Sequence, residues 1–511
     1  MKKYPFFAVP SLVLLLAACN IGNNDNGGTP SRDFWAVDNV KGTYYSLTAD
    51  CLAENDYCMV YADQKANVDS GVAQNIADVY ESKIHGPITG TFGTIMDVDE
   101  NGKVIFLLLD ILDGSTGGGY IAGYFYSLDM MKKSEDPKAQ AYYSNEADML
   151  YIDTKPGLQS MSSLYSTMAH ELQHLINYSN TAAKDGREPD VWINEGLSTA
   201  AEFIYGRNLS RPNDIYLSGS SIIGDPNGRL IVYSDPQDKG YNKNIRCGNN
   251  FYIWSGFWEE NEAYGDLGNY ATVYLFFQWL RAHASNGTVI YKEIINSPYR
   301  DYRAVTTSVK TRFGDKISLP GSGDTEADWD IVLRSWFLAN LLKQGGRGIY
   351  GYNGCLDYSL LLTPFIRPGD YPGLIVGVGD GEWYFSPGEG IYSQLHASGD
   401  VTHTFANGGT HIQYVGIQSD HTLKVVDNDF DVEAQYLLTY NKNTLQDPEA
   451  EETGDINRLA SAGFLANRLF NEGGGSASWG YLPGNYPVDR DTMARLREGK
   501  KPEGRLNKRG R

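Results

Sequence analysis

Residues 168–177 read Met168-Ala169-His170-Glu171-Leu172-Gln173-His174-Leu175-Ile176-Asn177, in a segment where Leu164, Met168, Leu172 and Leu175 recur at helical spacing. That period predicts a helix over residues 160–180, which Ser162 or Ser163 can cap. Side chains four apart share one helix face, so His170 and His174 can present imidazole nitrogens to one ion. Zn2+ accepts neutral nitrogen donors readily. Glu171, adjacent to His170, is placed to take a proton from a water activated at that ion and to pass it on.

A catalytic zinc needs three protein donors and one open position. After a polar loop over residues 180–190, a second helix is predicted from near Asn194 through Tyr205, and Glu195 at its start is the natural third donor. The two helices can then lie antiparallel with the carboxylate aimed at the ion. Glu202 lies two turns further along the same face, roughly 10 Å up the axis, too far to be a ligand beside Glu195. It either holds a ligand imidazole by its other nitrogen or is a surface carboxylate. An oxyanion-stabilising group is also required, and Tyr264, Tyr270 and Tyr274 are candidates, each of which can equally be a packed helix aromatic. His283 is a weaker candidate, expected to be exposed.

His-Glu-x-x-His followed by Asn-Glu-Gly resembles the arrangement of the gluzincin metallopeptidases. Trp192-Ile193-Asn194-Glu195-Gly196-Leu197-Ser198-Thr199 looks like the corresponding block of the zinc aminopeptidases, although the spacing from His174 to Glu195 is longer here. Their amine-gripping Gly-x-Met-Glu-Asn run is absent. The closer resemblance is to the hyicolysin-type neutral zinc metallopeptidases of bacteria. It is carried by His170 to Asn177, Trp192 to Ser198, Gly123-Tyr124-Phe125, Ser144-Asn145, Met149 to Asp153 and Tyr274 to Phe277, within residues 40–345. The resemblance implies a zinc-dependent endopeptidase with one Zn2+ per chain, protein or peptide substrates, and Glu195 as third ligand.

The rest of the chain sets the context. Its 511 residues suffice for two or three domains. A formal net charge of -20 argues against nucleic acid as a partner. Lys2 and Lys3 precede an apolar stretch from Phe6 to Leu16, which has the length of a signal-peptide core rather than a membrane span. It ends in Leu16-Ala17-Ala18-Cys19, resembling a bacterial lipobox. That implies lipidation of Cys19, a membrane anchor, and a place in the cell envelope at the outer membrane or cell surface.

The expected organisation is a signal peptide at 1–18, a tether at 19–33, a zincin-like region at 34–345, a β-rich domain at 351–446 and a polar, unstructured tail at 447–511. The fold class is α+β: a mixed sheet and a helical half, then a smaller sandwich-like β domain. Of the remaining cysteines, Cys51 and Cys58 are the nearest neighbours and the guessed disulfide. Asp97-Val98-Asp99-Glu100-Asn101-Gly102 matches half of a calcium loop, but Leu108 stands where the bidentate Glu belongs, so a hairpin turn is the preferred reading. A non-catalytic surface lipoprotein is the competing function. Retention of Glu171, both histidines and a third carboxylate favours the enzyme.

Overall fold

The structure, a computed structural model, describes residues 29–114, 120–207, 265–320, 325–344, 348–353, 365–366, 388, 390–405, 412–426, 430–442, 444 and 464–469. The signal peptide with Cys19, and Tyr264, lie outside the described residues. Among those residues no helix is long and apolar enough to cross a membrane.

The N-terminal half builds a mixed sheet with a helical layer. Strands β1 (Ser31–Asp38), β2 (Thr43–Glu54) and β3 (Cys58–Asp63) form an antiparallel meander. Helix α1 (Ser70–Val79) runs through a wide turn over Tyr80–His85 into α2 (Gly86–Phe92). Strand β4 (Val104–Leu109) is parallel to β3 on one side and to β6 (Met149–Asp153) on the other, while β5 (Tyr120–Tyr126) is antiparallel to β6. Every side chain of β4 is buried, as its unbroken apolar run requires of a strand covered on both faces.

Helix α3 (Met161–Asn180) lies on one of those faces. Its Leu164, Met168, Leu172, Leu175 and Ile176 share a core with Val60, Phe106, Leu108, Ala122, Leu150 and Ile152 of the sheet. Close approach depends on Gly123: a Cβ there would meet Tyr151 O at 2.8 Å and Thr167 Cγ2 at 3.0 Å. The helix starts ahead of both expected caps; Ser160 is its first flanking residue, with Ser160 Oγ 2.9 Å from Ser163 Oγ.

The helical half follows as α4 (Ala182–Asp185), α5 (Val191–Arg207), α6 (Gly265–His283), α7 (Val289–Ile295), α8 (Tyr302–Arg312) and α9 (Thr325–Leu342). Helix α8 was not anticipated, because Thr306, Thr307 and Val309 blur its period; Asp301 caps it by accepting from Arg303 N. Helix α5 begins a turn earlier than expected, since Asp190 O already accepts from Ile193 N and Asn194 N. Trp192, Phe276, Phe277, Trp279, Trp329 and Trp336 fill the space between α5, α6 and α9.

The C-terminal strands β7 (Phe365–Ile366), β8 (Gly390–Gln394), β9 (Val401–Phe405), β10 (Ile412–Ile417), β11 (Leu423–Val426), β12 (Phe430–Ala434) and β13 (Tyr436–Asn441) form a five-stranded sheet, β11-β10-β13-β8-β7, and a β9/β12 ribbon. Leu395, Tyr414, Val432, Ala434 and Leu437 make a small core of their own. The other face, with Tyr392, Val415, Ile417, Leu438 and Tyr440, joins the main core. Tyr392 Oη donates to Phe337 O at 2.8 Å and Tyr440 Oη to Asp330 Oδ1, so the sheet is fastened to α9. Strand β14 (Phe464–Leu469) pairs antiparallel with β5, which corrects the expectation of a wholly unstructured tail for those residues.

Two further expectations are overturned. Cys51 and Cys58 are free thiols, not a disulfide. Cys51 pairs across the hairpin with Tyr61, three positions from Cys58. The two cysteines also serve opposite faces of the sheet: Cys58 lies in the core beneath α3, and Cys51 packs against the core of the other face. The Asp97–Gly102 turn leads from a helix into β4 and joins no hairpin.

Asp97, Asp99 and Asp148 converge there, with carboxylate oxygens within 4.8 Å of one another. Burial, with Asp99 and Asp97 nearby, pushes Asp148 up to about 7. A raised carboxyl favours the fold below its unfolded pKa of about 4 and loses that contribution as pH climbs through about 7. Asp148→Asn is therefore expected to gain stability over wild type between pH 5 and pH 8, by on the order of 2 kcal/mol. Thermal melts at the two pH values check it; a pH-independent difference would contradict it.

Candidate metal centre

Helix α3 carries His170, Glu171 and His174 into the gap between the sheet and α5, where all three are buried. Helix α5 brings Glu195, Ser198 and Glu202 to the same gap, at successive spacings that keep them on one stripe. Glu195 Oε2 stands 3.3 Å from His170 Nε2 and 3.7 Å from His174 Nε2. Donors about 2.0–2.1 Å from a tetrahedral ion lie roughly 3.3–3.4 Å apart, so the trio has the dimensions of a three-donor site. Among the described residues, the buried His174 Nε2 has no hydrogen-bond partner, as expected of a nitrogen whose lone pair is kept for a cation. Three buried carboxylates, Glu171, Glu195 and Glu202, around two imidazoles also call for positive charge.

The surroundings orient these donors. His170 Nδ1 lies 2.6 Å from Glu202 Oε1, so the carboxylate that the sequence left between two readings is buried and holds a ring nitrogen. His174 Nδ1 lies 3.1 Å from Asn194 Oδ1, which also accepts from Asn177 Nδ2 at 2.5 Å. Burial lowers His174 to about 4, keeping it neutral. Burial acts on His170 in the same sense, but Glu195 and Glu202 outweigh it and raise its pKa.

Glu171 Oε2 accepts from Phe125 N of β5 at 3.0 Å, whereas its buried Oε1 has no hydrogen-bond partner among the described residues. Burial pushes Glu171 up to about 8, with Glu195 adding to the rise. With one oxygen pinned and the other without a hydrogen-bond partner among the described residues, this carboxylate is equipped for proton transfer.

The placement of α5 depends on Gly196. A Cβ there would sit 2.3 Å from the ring of Phe277 on α6, so only glycine lets the two helices approach with Glu195 turned towards α3. Tyr274 is buried on α6 within the helical core, and Tyr270 lies on the same helix with its side chain outside the described residues. His283 is fully buried, not exposed; its Nε2 donates to Gly351 O at 2.7 Å and its ring meets Phe313. Sequence reasoning missed Asn194, Ser198, Gln173 and the Phe125 amide. Asn194 and Ser198, four apart and flanking Glu195, did carry a helical-spacing signal.

Comparison with known proteins agrees with this geometry. The Peptidase M30 family profile matches residues 54–209. The chain is 30% identical over 291 residues to the neutral metalloprotease ShpI of Staphylococcus hyicus. That match takes in 55% of this chain and 56% of the relative, so the chain spans about half the length of the curated relative it matches. Residues 54–209, which contain the blocks around His170 and Glu195, are thus similar to the Peptidase M30 family.

Proposed function

We infer that this protein is a zinc-dependent endopeptidase that cleaves protein substrates, with His170, His174 and Glu195 as zinc ligands and Glu171 as general base. The observation that carries the reading is the convergence of His170 Nε2, His174 Nε2 and Glu195 Oε2 beside a buried carboxylate with one oxygen unpartnered among the described residues. Zinc bound there would lower the pKa of a water and polarise the scissile carbonyl. Glu171 Oε1 takes the proton of the attacking water and returns it to the departing amine, while the Phe125 amide keeps Oε2 in place. Glu202 and Asn194 hold the two imidazoles by their Nδ1 atoms. Tyr270 or Tyr274 supplies a donor to the oxyanion. Lipidation at Cys19 tethers the chain to the envelope through the residues between Cys19 and β1, which begins at Ser31, before the expected end of the tether, with the anchor at the outer membrane or cell surface.

Purified protein is expected to contain one zinc per chain and to cleave N-acetylated peptides internally. Chelation should abolish cleavage and added zinc should restore it. Cleavage that persists in metal-free protein, or that requires a free N-terminus, would overturn the metal or the endopeptidase assignment respectively.

A further inference from the structure

We propose that Ser198, aimed by Gln173, is a positioning residue that fixes the tautomer and direction of His174. Ser198 Oγ lies 2.9 Å from His174 Nδ1, 2.5 Å from Gln173 Oε1 and 3.0 Å from Asn194 O. A hydroxyl has one proton. Gln173 Oε1 and Asn194 O are both acceptors and claim it, so towards His174 the oxygen of Ser198 acts as an acceptor. His174 Nδ1, which also lies 3.1 Å from Asn194 Oδ1, then carries the ring proton and shares it between Ser198 Oγ and Asn194 Oδ1, and Nε2 keeps its lone pair on the side facing Glu195.

Ser198 and Gln173 are completely buried, so no bulk water competes for these bonds. The hydroxyl also joins the two ligand-bearing helices. Gln173 and His174 are neighbours on α3, and Ser198 lies one turn beyond Glu195 on α5. One oxygen therefore ties the direction of the second imidazole to the placement of the third donor. The supports of the two imidazoles differ in kind: a carboxylate, Glu202, for His170, and neutral acceptors for His174.

The inference rests on His170, His174 and Glu195 being metal donors. Its test is zinc affinity by chelator competition, together with the visible absorption of the Co2+-substituted protein and the melting temperature of the metal-free form. Ser198→Ala is expected to lower zinc affinity by about 10-fold, within the range for loss of such a supporting group, and to alter the Co2+ spectrum while the metal-free melting temperature stays close to wild type. Gln173→Met should weaken zinc binding in the same direction, and the double variant should bind no more weakly than Ser198→Ala, because both act through one hydroxyl.

Wild-type zinc affinity and Co2+ spectrum in Ser198→Ala would overturn the proposal. So would additive losses in the double variant. Should Ser198→Ala fail to fold, Gln173→Met alone decides, and wild-type affinity in it counts against the proposal. A wild-type chain that binds no zinc or Co2+ would instead refute the metal-site reading on which it stands.

Discussion

Glu171→Gln is expected to bind zinc as wild type does while cleaving peptides roughly 10³-fold more slowly. Two features of the site make the change selective. The Phe125 amide now donates to Glu171 Oε2, and the carbonyl oxygen of Gln can accept the same bond, so the side chain should stay where it is. Oε1, the oxygen without a partner, becomes an amide nitrogen that cannot accept a proton. The donors His170, His174 and Glu195 are untouched, so metal content is expected to hold. Zinc analysis and steady-state cleavage of one peptide, measured on the same preparation, give both readouts. A variant that keeps metal and stays within tenfold of wild-type kcat would remove Glu171 from the mechanism.

Glu195→Ala is expected to act in the opposite way, through the metal. The substitution removes the only carboxylate oxygen within 3.3 Å of His170 Nε2 and 3.7 Å of His174 Nε2 among the described residues. Loss of a group that merely supports a ligand costs about 10–100-fold in metal affinity. Loss of a donor should cost more, so Glu195→Ala should fall below Glu202→Ala, whose carboxylate meets His170 from behind at Nδ1. Chelator competition on the two variants ranks them. Equal affinities, or a weaker Glu202→Ala, would exchange the two roles.

The pairing of His170 with His174, and Glu171 beside them, was legible because helical period is local: four residues bring two side chains to one face whatever surrounds them. Glu195 was legible as a candidate through its place after the loop. What holds His174 was not legible. Which side chains of α5 meet Gln173 and His174 depends on how α5 is rotated and how closely it approaches, and Gly196 against Phe277 sets that. Glu202 illustrates the same point. Its spacing from Glu195 made it too distant to be a second ligand, yet it reaches the far nitrogen of His170, because the ring spans part of the separation.

Other departures have similar causes. The disulfide guess took proximity in sequence for proximity in space, whereas strand alternation sends Cys51 and Cys58 to opposite faces of the sheet. The C-terminal strands show a period of two, which marks one face as covered without saying by what. Helix α9 covers it, through Phe337 and Asp330, so that part of the chain shares a core with the helical half.

The sequence by itself determined the candidate donor pair, the carboxylate beside it, the candidate third donor and the strand-then-helix order of the N-terminal half, since each rests on spacing within one element or on the chemistry of a side chain. Only the tertiary structure decided that Glu195 faces both imidazoles, that Glu202 meets His170 and that Asn194 and Ser198 meet His174 at Nδ1, and that a main-chain amide of β5 pins Glu171. Those contacts join residues on different elements. Their geometry follows from close packing at Gly123 and Gly196, where a missing side chain sets how near two elements can come.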